Sequence, residues 1–76
     1  MNDKNSIMIL GRYGLLFTDE NGIRYSVLIE KVGEDITLFK EGVKPVESNR
    51  ELNDKEIETI ISKILSLKPE FQWQVK

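Results

Sequence analysis

The chain has 76 residues, a net charge of −2, and neither Cys nor His. That bounds it to one small domain, residues 1–76, and excludes disulfide staples and zinc sites built from those ligands. Hydrophobic residues make up 39% and charged residues 32%, an ordinary balance for a soluble globular protein. No apolar run reaches the roughly 18 residues of a membrane span. The start, "MNDKNSIMIL", has no basic region leading into a long apolar stretch, so no signal peptide is expected and a cytoplasmic setting is.

In chain order, residues 1–5 read as a frayed, disordered end. "SIMILG" and "RYGLLFT" are apolar and broken by Gly11 and Gly14, so residues 6–18 form one kinked strand or two short ones. "DENG" at 19–22 is a turn, with Asn21-Gly22 suited to the positive φ of a hairpin. In "IRYSVLIEKV", Ile23, Tyr25, Val27 and Ile29 fall on one face and Arg24, Ser26, Leu28 and Glu30 on the other. That is the period of a half-buried strand, with Leu28 the apolar residue out of place. "GED" at 33–35 makes the next turn and "ITLFK" at 36–40 a third strand. Pro45 confines any pairing in "VKPV" to an edge. Val43 and Val46 are read, with Leu28, as exposed apolar material, and Trp73 is a further candidate for it.

Ile57, Ile60, Ile61, Ile64 and Leu65 follow the i, i+3, i+4, i+7, i+8 spacing of an amphipathic helix. Asn53 and Glu56 form a capping box at its start, and Leu52 and Ile57 stand where a hydrophobic staple joins them. The helix stops before Pro69. Beyond it, Phe71, Trp73 and Val75 alternate with Gln72, Gln74 and Lys76, the pattern of a short final strand. The expected architecture is α+β: a small antiparallel sheet of three to four strands against one C-terminal amphipathic helix, with that short final strand. The pattern leaves open which sheet edge the last strand takes.

The chemistry of catalysis finds few candidates. Without His or Cys, the commonest general base and the soft nucleophile are missing, and the adjacent acids Asp19-Glu20 and Glu34-Asp35 sit in turns where carboxylates point to water. Asp19, Asn21 and Gly22 fail the ligand spacing of a calcium loop, and "GRYG" at 11–14 lacks the length and the Lys-Ser/Thr end of a phosphate loop. No enzyme activity and no cofactor is expected. Arg12, Tyr13, Arg24 and Tyr25 suggest a sheet that stacks bases, but the alternation puts Tyr25 in the core and no concentrated basic face exists, which argues against nucleic acid. Charge is instead segregated: residues 41–58 carry six acids (Glu41, Glu47, Glu51, Asp54, Glu56, Glu58) against three bases, and 59–76 run to +2.

From residue 22 onward, "GIRYSVLIEKVGEDITLFKEGVKPVES" and "LNDKEIETIISKILSLKPEFQWQV" resemble the small α+β immunity proteins encoded beside bacterial polymorphic toxins. In one such group a hairpin leads through a polar connector to a capped, Ile-rich helix and a short last strand; the likeness covers about two thirds of the chain. The resemblance implies a cytosolic, non-catalytic inhibitor that binds a cognate toxin domain, often a nuclease. Nuclease toxins tend to be basic, so Glu41, Glu47 and Glu51 become the partner-binding candidates. The alternative is a homo-oligomeric module, a homodimer for instance, paired through a sheet edge.

Overall fold

The computed structural model describes residues 5–76; the expectation for residues 1–4 falls outside them. Strands β1 (Ser6–Ile9), β2 (Gly14–Thr18), β3 (Arg24–Val32) and β4 (Asp35–Leu38) come first, then a 3-10 turn (Lys40–Gly42) and the two-residue β5 (Lys44–Pro45). Helix α1 (Asp54–Leu67) and strand β6 (Gln72–Val75) complete the chain. The domain is therefore α+β with one C-terminal helix. The sheet, however, has six strands in the order β1-β2-β3-β4-β6 with β5 also on β3, where three to four antiparallel strands were expected.

Two physical features account for the difference. First, residues 6–18 divide into two strands, joined by a hairpin in which Leu10 N–H donates to Gly14 O at 2.8 Å. Second, the last strand is parallel: β6 lies beside β4 in the register Asp35↔Gln72, Ile36↔Trp73, Thr37↔Gln74, Leu38↔Val75. Parallel neighbours need a long crossover, and residues 39–71, with α1 in them, supply it. Asp19 organises the turn between β2 and β3 by accepting from the Asn21 and Ile23 amides, both at 2.9 Å, and Gly22 takes φ +82°. Gly33, at φ +62°, closes the turn from β3 to β4.

β3 is the organiser because it is long enough to pair twice along one side. Residues 29–32 pair with β4 and residues 25–26 with β5, while β2 holds the opposite side. The 3-10 turn bulges out between β4 and β5, and at its end Gly42 lies against the backbone of Leu28. A Cβ on Gly42 would overlap Leu28 Cβ and stand 3.2 Å from Leu28 N and 3.4 Å from Leu28 Cα. Both sides of that contact are backbone-borne, so neither can swing away. Gly42→Ala is expected to cost about 1–3 kcal/mol of stability through overpacking, read from the midpoint of urea unfolding.

The alternation of β3 holds: Tyr25, Val27 and Ile29 are buried while Arg24, Ser26, Leu28 and Glu30 are exposed. The buried face continues through Leu15, Phe17, Ile36 and Leu38, and Ile60, Ile61 and Ile64 of α1 close over it. Phe17 and Tyr25, opposite each other in the β2–β3 register, stack with centroids 6.0 Å apart. Val43 belongs to this core at 4% exposure, contrary to its reading as exposed apolar material: the bulge returns the chain inward at that residue. Val46 and Leu28 are exposed as expected, at 45% and 50%, and Ile23 is exposed as well, because β3 begins one residue after it.

The helix starts as its sequence dictates. Asn53 Oδ1 accepts from the Glu56 amide at 2.8 Å and Glu56 Oε1 accepts from the Asn53 amide at 3.0 Å, a complete capping box in which the Asn53 cap is worth about 1 kcal/mol. The Asn53 N–H, followed by the Arg50 guanidinium, holds the Glu56 carboxyl below the usual carboxylate range. At the far end, Trp73 Nε1 donates to Lys68 O at 2.8 Å, and the indole meets Phe71 edge-on at 6.1 Å. Both rings are half-buried against the core.

Candidate functional site

The 3-10 turn, β5, the polar connector 46–53 and the first turn of α1 enclose a cleft of about 470 Å³. Its existence follows from local chemistry. The pairing of β5 with β3 runs out just past Pro45, where Val46 N–H donates to Arg24 O at 3.0 Å, and the chain then crosses to the helix with no regular structure. The Ser48 hydroxyl accepts from the Arg50 amide at 3.0 Å, and the capping box fixes where the connector must arrive.

The cleft has an apolar floor and a charged rim. Val43 is buried, and Leu52 and Ile57, the two residues of the expected staple, are half-buried against the core and line the same cavity. Glu41 and Glu51 stand on the rim. A second cleft of about 270 Å³ shares Glu41 and Ile57 with the first and adds Lys40, Asp54 and Glu58. Four acids and three bases, Lys40, Lys44 and Arg50, thus surround one apolar patch. Lys44 and Arg50 both line the larger cleft, and Arg50 donates from Nη1 to Glu56 Oε2 at 2.8 Å.

The three acids singled out from the sequence therefore separate. Glu41 and Glu51 share the cleft; Glu47 does not line it and accepts instead from Arg24 Nη2 at 2.9 Å. Asp54 and Glu58 were treated only as part of a general acidic tract. Their i, i+4 spacing on a helix puts them on one face, and that was the signal available for them.

The other candidates are structural. Asp19 is spent on its turn, and Glu20 accepts from Lys63 Nζ at 3.2 Å, tying the β2–β3 turn to α1. Tyr25 is core and Arg24 surface, so the two do not form a base-stacking pair. Among the described residues no three metal-ligating side chains converge, and no helix is long and apolar enough to cross a membrane. No family model, curated protein or solved structure matches the chain.

Proposed function

We propose that this chain is a non-catalytic, cytoplasmic binding protein of the immunity type, which neutralises a cognate toxin domain by stoichiometric contact. The observation that carries the reading is the pair of adjoining clefts between the 3-10 turn and α1, with a floor of Val43, Leu52 and Ile57 and a rim where Glu41, Glu51, Asp54 and Glu58 outnumber Lys40, Lys44 and Arg50. An apolar floor supplies the desolvated centre that binding energy needs, and surrounding acids steer a basic partner toward it. The layout of hairpin, polar connector, capped helix and last strand supports the same reading. A basic nuclease domain is the partner that fits this charge.

The test is co-expression with the product of the adjacent open reading frame. The expected result is relief of its toxicity and a stable complex that survives purification. In that complex the Glu41→Lys/Glu51→Lys double variant should weaken binding by about tenfold or more, whereas Glu47→Gln should weaken it less, since Glu47 is held by Arg24. No complex and no relief of toxicity would sink the proposal.

A further inference from the structure

β1 is a sheet edge of unusual composition. Among the described residues, β2 is its sole strand partner. Leu10 N–H donates to Gly14 O, and the register pairs Met8 with Leu16 and Ser6 with Thr18. By the alternation of an antiparallel ladder, Ser6, Met8 and Leu10 spend their backbone groups on β2. Ile7 and Ile9 then aim theirs outward, in the plane of the sheet.

Exposed edges are normally guarded by charge, proline or a bulge. The other outer strand, β6, is flanked by Glu70 and Lys76, and β5 contains Pro45. From Asn5 to Gly11, β1 and its flanks carry no charged side chain and no proline, and the nearest charges in sequence are Lys4 and Arg12.

We propose that this edge is a dimerisation surface: a second copy adds its own β1 antiparallel to the first, about a two-fold axis through Met8. The register follows from the chemistry. A symmetric antiparallel pair that uses the outward groups of both isoleucines must set Ile7 opposite Ile9 of the second copy, and Ile9 opposite its Ile7. Met8 then faces its own equivalent in the closer, non-hydrogen-bonded position. An isologous contact requires such self-complementarity, and a neutral, apolar segment satisfies it without like charges meeting.

Side chains on both faces gain from the arrangement. On the helix side, Ile7 and Ile9 are only half-buried within one copy, and each would be covered by the other's equivalent. On the open side, Met8 is 59% exposed and sits opposite Leu16, so two Leu16–Met8 rows join into one apolar strip. The helix flank over this edge presents the short side chains of Ser62 and Ser66 beside Asn5 across a hollow of about 320 Å³, room for the second copy's helix on the same side of the sheet. Lys63 on that flank is paired with Glu20. The dimer surface shares no residue with the charge-rimmed cleft, and the inference does not depend on the toxin-binding reading.

Sedimentation analysis of the isolated chain across micromolar to millimolar concentrations should show a monomer–dimer equilibrium. Met8→Lys sets two ammonium groups at the axis and should raise the dimer Kd by about tenfold or more with an unchanged circular dichroism spectrum, because Met8 is 59% exposed. The chain has no cysteine, so Met8→Cys can form a disulfide only between copies, and the geometry of a non-hydrogen-bonded pair permits one. Mild oxidation should therefore give covalent dimer much faster with Met8→Cys than with Gln74→Cys on the far edge. A wild-type chain that stays monomeric throughout, or equal cross-linking rates for the two cysteine variants, would overturn the proposal.

Discussion

A chain that ends at Pro69 is expected to show no cooperative urea transition and a circular dichroism spectrum without the native strand signal, because β6 is built into the sheet from both ends. Its first residue, Gln72, donates to Glu34 O at 2.9 Å. At its exit, Lys76 donates to Leu38 O and accepts from Lys40 N–H, each at 2.8 Å. Between these anchors β6 flanks Ile36 and Leu38, both at 0% exposure. Deleting residues 70–76 removes Phe71 and Trp73 from the core margin and leaves β4 an edge strand with β3 as its one ladder partner. A domain this small is held by only about 4–11 kcal/mol in total. Losing an aromatic packed against a core costs about 3 kcal/mol when it is well buried, and here two half-buried rings go together with a row of backbone bonds. Retention of a cooperative transition in the shortened chain, with loss only of partner binding, would instead make the tail a binding hook.

Ile64→Ala is expected to lower stability by about 2–5 kcal/mol, the largest effect of any single substitution in α1. Ile64 is fully buried, and its neighbours on the stripe, Ile60 and Ile61, remain 7% exposed. It faces the sheet where the rigid β-branched and aromatic residues of β2, β3 and β4 leave little freedom to collapse into the gap, so the lost methyl groups become a cavity. Leu28→Ala is the matched control. Leu28 is 50% exposed on the opposite face of the sheet and should cost less than about 1 kcal/mol. Urea unfolding of the three proteins with equal m-values would confirm that the difference lies in native packing. Equal losses for the two variants would mean that the helix does not close the core.

The connector shows why the candidate site was only partly legible. Its acids were visible as a tract, but charge in a tract does not say which carboxylates meet. The helical period alone could have joined Asp54 to Glu58; nothing local could have placed Glu41 beside them or turned Glu47 away toward Arg24. Those placements depend on the bulge at Lys40–Gly42, and the bulge is set by two strands sharing one side of β3. The same bulge buried Val43, whose neighbours in sequence gave no sign of it.

By itself, the sequence determined the elements whose causes are local. The isoleucine stripe and capping box fixed α1, the period of two fixed the faces of β3, and "DENG" and "GED" fixed the turns at Gly22 and Gly33. Alternation in "FQWQV" likewise fixed that the tail is a strand, in which Phe71 and Trp73 are half-buried while Val75 is 40% exposed. Only the tertiary structure decided who stands beside whom. A strand's period states which way its side chains point and is silent about its neighbours, because ladder bonds use backbone groups that every residue carries. The parallel docking of β6 on β4, the double use of β3 and the unguarded β1 edge were settled by burial of the shared core and by the length of the crossover through α1.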